Sequence, residues 1–151
     1  MANEQVRELV ASEEEQKISR AMMAWINSYP YLPSAITRVN FEQLSADRPC
    51  MALSTIQAAY IRRRFIYGGH EGEYQFKVIY RIKPATSNDA RLKADELLNA
   101  FGDWAAANPP ALGNNITVIR IEATARSSMF AVYENGDEDH QILMRLIYEV
   151  I

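Results

Sequence analysis

The chain of 151 residues is poor in several residue types that mark particular classes of protein. It contains one cysteine, two histidines, six glycines and six prolines. A single cysteine excludes an intramolecular disulfide, and so little glycine and proline excludes collagen-like and low-complexity chains. The net charge of -3 has the wrong sign for a protein that coats the phosphates of nucleic acid. Since 48% of the residues are hydrophobic, we expect a folded and mildly acidic domain.

Long apolar runs are also lacking. The longest stretch without a charged residue, 21–37, is broken by Pro30 and Pro33, and the uncharged stretch 49–61 is shorter than the roughly 18 apolar residues of a membrane span. Three consecutive glutamates, residues 13–15, lie where a secretory signal needs an apolar segment. We therefore expect no membrane association and a cytoplasmic location. The length predicts one domain over residues 1–151, with about the first eleven residues disordered.

Hydrophobic periodicity predicts two helices and several strands. A capping box of Ser12 and Glu15 begins the first helix, and Thr86 with Asp89 caps the second. Residues 68–72 form a glycine turn, and the pair at 135–136 forms a hairpin turn. The helices span residues 12–29 and 86–107; the strands span 38–41, 50–59, 60–67, 73–83, 116–126, 129–134 and 140–150. This order predicts an α+β fold, a mostly antiparallel β-sheet packed against two helices and ending in a three-strand meander.

Each predicted element has a face that should be buried. The residues on these faces recur at helical spacing in the helices and at alternate positions in the strands. The first helix presents Ile18, Met22, Trp25, Ile26 and Tyr29, and the second presents Leu92, Leu97, Leu98, Phe101, Trp104 and Ala105. The clearest strands present Tyr74, Phe76, Val78, Tyr80 and Ile82, and His140, Ile142, Met144, Leu146, Tyr148 and Val150.

No pattern of catalytic residues emerges from the sequence. His70 and His140 are not spaced with Cys50 as a base and nucleophile would be, and Cys50 is predicted to be a small buried side chain. Serine nucleophile elbows and phosphate-binding glycine loops are absent. We expect a protein that is not an enzyme, with no catalytic residues and no bound cofactor.

An acidic turn precedes the last strand. Residues 134–140 contain four carboxylates, those of Glu134, Asp137, Glu138 and Asp139, followed by His140. Such oxygen ligands bind hard cations, but the spacing is not that of an EF-hand. The turn is therefore interpreted as a solvated hairpin tip, and we expect no metal site.

A basic run precedes the glycine turn. Arg62, Arg63 and Arg64 stand in succession on a strand, so their side chains should point alternately to its two faces. Three interpretations stay open: an exposed edge kept soluble by charge, a subunit contact, or a contact with DNA. A basic run and a separate acidic turn would suit head-to-tail association into a ring, with Arg62, Arg63, Arg64, Glu134, Asp137, Glu138 and Asp139 in the subunit interface.

Residues 74–104, YQFKVIYRIKPATSNDARLKADELLNAFGDW, and residues 125–150, ARSSMFAVYENGDEDHQILMRLIYEV, resemble the minor capsid and tail-terminator family of tailed phages and prophages. The resemblance implies a structural subunit that forms a ring, a hexamer, on the end of the tail tube. The implied partners are other copies of the chain, the tail-tube protein, the head connector, and DNA that passes through the ring without specific binding. The implied locations are the bacterial cytoplasm during assembly and the neck of the virion.

Two other functions stay open from the sequence. The first is a head-completion or neck protein of the same virion, which would equally lack catalytic residues. The second is a small-molecule binder or enzyme with a pocket between sheet and helices, lined by Trp25, Tyr74, Tyr80 and Trp104. Aromatic residues at such spacing more often belong to the core.

Overall fold

The computed structural model describes residues 8–45, 49–84 and 87–151, apart from the side chain at position 58. Within these residues the chain forms two α-helices and seven β-strands. Their bounds are β1 Glu8–Leu9, α1 Ser12–Ile26, β2 Val39–Phe41, β3 Cys50–Arg64, β4 His70–Ile82, α2 Asn88–Ala107, β5 Ile116–Ala123, β6 Ser128–Val132 and β7 Glu138–Val150.

All seven strands belong to one sheet. Its order is β1-β3-β4-β7-β5, with β2 also pairing with β3 and β6 also pairing with β7. Every pairing is antiparallel except the short one between β2 and β3. The predicted α+β fold, a mostly antiparallel sheet packed against two helices, is confirmed.

The predicted meander of three terminal strands is wrong. Both β5 and β6 pair with the same side of β7: Ile116 lies opposite Val150, and Val132 lies opposite Glu138. The two strands are therefore successive segments of one hairpin arm, interrupted at residues 124–127. The reason is length, since β7 has thirteen residues and offers more pairing positions than β5 alone fills. The sheet thus consists mainly of two long hairpins, β3 with β4 and β5–β6 with β7.

The first helix packs its predicted face into the core. Ile18, Met22, Trp25 and Ile26 are all buried, and so is Tyr29, although α1 ends at Ile26. The predicted capping box is wrong, because Ala11 occupies the N-cap position and no side chain bonds the helix end. Ser12 lies inside the helix, one position too late to cap it. The glutamates of the first turn instead lie near the positive end of the helix dipole.

The second helix is capped one residue later than predicted. Thr86 lies outside the described residues, and the Ser87 hydroxyl accepts a hydrogen bond from the Ala90 amide. Leu98, Phe101 and Ala105 are buried as predicted, with Leu97 and Trp104 partly buried against them. Leu92 is 58% exposed, contrary to prediction. Arg91 faces the sheet, where it donates a hydrogen bond to Glu138. Leu92 is the next residue, about 100° further around the helix, so its side chain points to solvent.

Three boundaries differ from the predictions. Residues 50–64 form one strand with bulges instead of two extended pieces, because β4 pairs along its whole length. Gly72 belongs to β4 and not to the predicted turn. Glycine is needed at this strand position because the Tyr148 side chain occupies the place that any Cβ would take. Glu8–Leu9 pairs with β3 and Val10 is buried, so these three residues of the segment expected to be disordered lie against the sheet. Residues 1–7 lie outside the described part of the chain.

Candidate subunit interface

The basic run and the acidic turn lie at opposite ends of the sheet. Arg64 is opposite His70 at the start of β4, while Glu138 is opposite Ile82 at its end. The thirteen residues of β4 separate the two, which corresponds to roughly 40 Å at about 3.3 Å per residue. We name them the basic end, residues 62–70, and the acidic end, residues 132–140.

At the basic end, the arginines form ion pairs within the chain. Arg62 lies 3.2 Å from Glu71 and 3.5 Å from Glu73, and Arg63 lies 3.5 Å from Glu71. Arg64 pairs with Glu8 of β1. Successive arginines were predicted to point to opposite faces, yet Arg62 and Arg63 reach the same carboxylate, because the strand has an irregularity between Ile61 and Arg63.

Glu73 is the buried centre of a polar cluster next to the basic end. It accepts hydrogen bonds from the Tyr60 hydroxyl, at 2.7 Å, and from the Gln75 amide. Burial alone would raise the pKa of Glu73, but the hydrogen bonds from Gln75 and Tyr60, together with the charge of Arg62, outweigh it and lower that pKa. The carboxylate is therefore charged at neutral pH and holds β3 to β4.

The acidic end is not the solvated tip that was predicted. Asp139 is buried and accepts two hydrogen bonds from the Arg81 guanidinium, at 2.6 and 2.8 Å. The Tyr133 hydroxyl donates a third, at 2.6 Å, and the Arg81 guanidinium lies 4.4 Å from the centre of the Tyr133 ring. The hydrogen bond to Asp139 raises the pKa of Arg81 above its ordinary value. Asp139 therefore joins β4, β7 and the hairpin turn.

Glu138 and His140 attach the same hairpin to α2. Glu138 is buried and accepts hydrogen bonds from Arg91 at 3.0 and 3.1 Å. The fully buried His140 lies with Nδ1 2.9 Å from Asp95 and Nε2 3.4 Å from Glu138. Asp95 also accepts a hydrogen bond from Ser127. These contacts span the sheet and the helix, which is why the carboxylates are not available on the surface.

The remaining two carboxylates of the turn have different surroundings. Asp137 is buried, and its carboxylate accepts a hydrogen bond from the Asn135 side chain at 3.1 Å. Glu134 is exposed. Gly136 has φ +90°, as expected for a tight turn at this pair. Of the seven residues predicted for a subunit interface, Arg63, Arg64 and Glu134 are exposed, whereas Asp137, Glu138 and Asp139 are buried and Arg62 is intermediate.

Two exposed apolar surfaces were missed by the sequence prediction. The first is the tip of the β3–β4 hairpin, residues 65–67, and the second is the edge strand β6 with Tyr133. The sequence contains a pattern that indicates each surface. The tip has a Phe-Ile-Tyr run directly before two glycines, and the edge has an apolar run from 129 to 133 that does not alternate with polar residues. Apolar residues on both faces of a strand are typical of a strand whose outer side is covered by a partner.

The candidates for other chemistry are used in packing. Cys50 is buried, as predicted. Trp25 stacks on Trp104 with ring centres 5.4 Å apart, and Tyr74 is fully buried, so these aromatics fill the core instead of lining a pocket. A groove of about 940 Å³ does run along α1, but other residues line it. Residues 8–45, 49–84 and 87–151 contain no group of three or more metal-binding side chains.

Comparison with protein-family models and with curated protein sequences finds no match to this chain. Neither helix in the described residues is long and apolar enough to cross a membrane.

Proposed function

We propose that this protein is a tail terminator of a tailed phage or prophage. It forms a ring on the last ring of the tail tube, stops tube growth and joins the tail to the head connector. The sequence resemblance supports this function, and the α+β fold of the chain is compatible with it. Fold alone does not determine function, so a feature of the surface has to support the proposal.

The observation that carries the proposal is the placement of two different exposed surfaces: the tip of the β3–β4 hairpin beside Arg63 and Arg64 at the basic end, and the edge strand β6 beside Glu134 at the acidic end. They lie at opposite ends of one long sheet, separated by the length of β4. Two different surfaces on opposite ends favour a head-to-tail contact, in which each copy offers one surface to each neighbour. A head-to-tail contact that closes on itself produces a ring, whereas a contact between identical surfaces produces only a dimer.

The charge of the chain is compatible with a ring around DNA. The net charge of -3 gives a weak repulsion from phosphates, which lowers the residence of DNA on the channel wall. A channel for duplex DNA needs a width of roughly 20 Å or more, given the dimensions of the duplex grooves. Electron microscopy at high protein concentration should show a closed ring, six-fold by family resemblance, with a channel of at least this width.

The ring should be weak when the protein is free. We expect a monomer or a small oligomer at low concentration and a larger ring at high concentration, because the tube end is the natural nucleus. Sedimentation velocity over a range of concentration and salt tests this expectation. A dimer that persists across all concentrations and is insensitive to salt contradicts the proposed ring.

The decisive test uses assembling tails. In cells that produce the phage without this protein, tail tubes should grow beyond their normal length, and supplying the protein should restore the length. Electron microscopy measures tube length, and mass spectrometry of purified particles locates the protein. Tubes of normal length together with tailless heads would overturn the proposal in favour of a head-completion or neck protein.

A further inference from the structure

The tip of the β3–β4 hairpin is an ordered apolar protrusion. Ile66 is fully exposed and Tyr67 nearly so. The rings of Phe65 and Tyr67 stack with centres 5.2 Å apart and an interplanar angle of 9°, and the Arg63 guanidinium lies 5.4 Å from the Phe65 ring. The turn is closed by the Phe65 amide, which donates to the Gly69 carbonyl. The tip therefore presents the exposed Ile66 side chain beside the stacked rings of Phe65 and Tyr67.

The two edges of the sheet differ in how they are covered. The outer side of β3 pairs with β1 and β2, and between them the Glu42 carboxylate accepts hydrogen bonds from the amide and hydroxyl of Thr55, at 2.8 and 2.9 Å. No described strand pairs with the outer side of β6. This edge, here named the β6 edge, carries four exposed large apolar side chains: Met129, Phe130, Val132 and Tyr133.

We propose that the tip of one copy, Phe65, Ile66 and Tyr67, packs on the β6 edge of a second copy. The inference rests on the proposed ring and names its subunit contact. The tip lies at the basic end and the β6 edge runs into the acidic end, so the contact joins opposite ends of neighbouring copies. Each copy then has one tip and one edge to offer, as head-to-tail assembly requires.

Charge complementarity identifies the partner as a second copy. Arg63 and Arg64 stand beside the tip, with side chains 62% and 61% exposed. Glu134, the exposed carboxylate of the acidic turn, directly follows the β6 edge in the chain. The contact therefore brings two partly exposed cations, each already paired with a glutamate of its own chain, toward an exposed carboxylate around an apolar centre. Such a polar rim steers and orients association, while the apolar centre supplies most of the affinity.

The size of the contact fits a weak free ring. Only Ile66 and Tyr67 of the tip are strongly exposed, and since a large aromatic side chain buries roughly 150–250 Å², the tip buries on the order of 300–400 Å². A stable standard interface buries about 800 Å² per partner. The tip alone therefore gives an association that depends on concentration, as expected for subunits that assemble on a tube end.

Two single variants and a control test the contact. Ile66→Glu places a charge on the tip and Val132→Glu places one on the β6 edge, where the side chain is 59% exposed. Each variant should weaken self-association roughly tenfold or more in sedimentation velocity, because it places a charge in the apolar centre of the contact. Leu92→Glu, at a similarly exposed apolar position on α2, should associate like the wild type. Ile66→Ser and Val132→Thr replace any glutamate variant that fails to fold by circular dichroism.

Mixing the two variants gives the sharpest result. The Ile66→Glu chain keeps an intact edge and the Val132→Glu chain keeps an intact tip, so together they should form a one-to-one heterodimer and nothing larger. Any of three results overturns the proposed contact. The single variants could assemble like the wild type, or the folded variants could stay monomeric when mixed. The third such result is a wild-type chain that is monomeric at the highest attainable concentration. A chain that assembles through this contact but does not restore tube length leaves the contact standing and overturns the proposed function.

Discussion

The two hairpin ends of the sheet use their charged residues in opposite ways. At the acidic end, Glu138 and Asp139 are buried and each is held by an arginine from another element. At the basic end, Arg63 and Arg64 remain largely exposed, and their partners are glutamates on adjacent strands. Both segments looked like surface charge in the sequence. Only the basic one has the exposure of a surface patch.

The difference shows where charge contributes to the fold and where it does not. A buried carboxylate must be paired and fully hydrogen-bonded, because removing it from water is costly. An exposed ion pair contributes little, since water and salt screen it. Substitution of the buried carboxylates at the acidic end should therefore lower stability, whereas substitution of Arg63 and Arg64 at the basic end should affect mainly association.

The largest effect is expected at Asp139. Asp139→Ala removes the acceptor of two Arg81 hydrogen bonds and one from Tyr133, and leaves the guanidinium of Arg81 unpaired in a site where its side chain is only 19% exposed. Breaking such a pair costs about 3–5 kcal/mol. Urea denaturation at neutral pH should show this loss in the free energy of unfolding.

Two further variants separate the lost pair from a general effect at the turn. Glu134→Ala, at the exposed carboxylate of the same turn, should change the free energy of unfolding by less than about 0.5 kcal/mol. Replacing both partners, Arg81→Met with Asp139→Leu, removes the unpaired charge and should recover part of the loss. An Asp139→Ala protein as stable as the wild type would show that the acidic end is not held by this pair.

The next largest effect on stability is expected at the turn glycines, where substitution at the basic end should cost more than substitution at the acidic end. Gly69 has φ +82°, and a Cβ there would overlap the backbone carbonyl oxygen of Val150. Gly136 has φ +90°, but its Cβ would meet only the Pro84 ring, at 3.0 Å. Gly69→Ala should cost about 3 kcal/mol, as the sum of backbone strain and steric overlap. Gly136→Ala should cost about 1–2 kcal/mol, and thermal unfolding that ranks them in reverse order contradicts this reasoning.

Much of the fold follows from residue periodicity. The alternation in β4 and β7 and the helical spacing in α1 identified residues that the structure buries, among them Phe76, Met144 and Met22. Local patterns suffice there because a strand or helix with one apolar face has one stable way to bury it. Capping was less predictable, since a shift of one residue, as at Ser12, changes a cap into an ordinary helical position.

The candidate interface was less predictable because it depends on pairing between distant segments. Arg81 and Asp139 are 58 residues apart, and Arg91 and Glu138 are 47 apart. Their contacts exist only once β4, α2 and β7 are in register. Without that register, a run of carboxylates in a turn looks solvated. The exposed tip was within reach of the sequence, since three apolar residues before two glycines are unusual for a solvated turn.

A smaller effect is expected from pH, through the buried Glu73 beside the basic end. Because the pKa of Glu73 is lowered in the folded state, its contribution to stability is present above its ordinary value of 4.5 and is lost as pH falls through the folded value. At neutral pH, Glu73→Gln should cost roughly 1.5–3 kcal/mol, the usual contribution of a hydrogen bond to a charged group. The difference between the two proteins should shrink as pH is lowered below 4.5. A difference that stays constant with pH would assign the loss to packing.

The smallest effect on stability is expected at Arg63 and Arg64. Their side chains are 62% and 61% exposed, so Arg63→Ala and Arg64→Ala should each change the free energy of unfolding by less than about 0.5 kcal/mol. Charge reversal, Arg63→Glu with Arg64→Glu, should nevertheless weaken self-association and change its salt dependence, because these side chains form the rim of the proposed contact. Sedimentation at low and high salt measures this. If the charge-reversed variant assembles as the wild type does, with the same salt dependence, the basic end is not part of the interface. If the variant loses much of its stability, the ion pairs of the basic end stabilise the fold as those of the acidic end do.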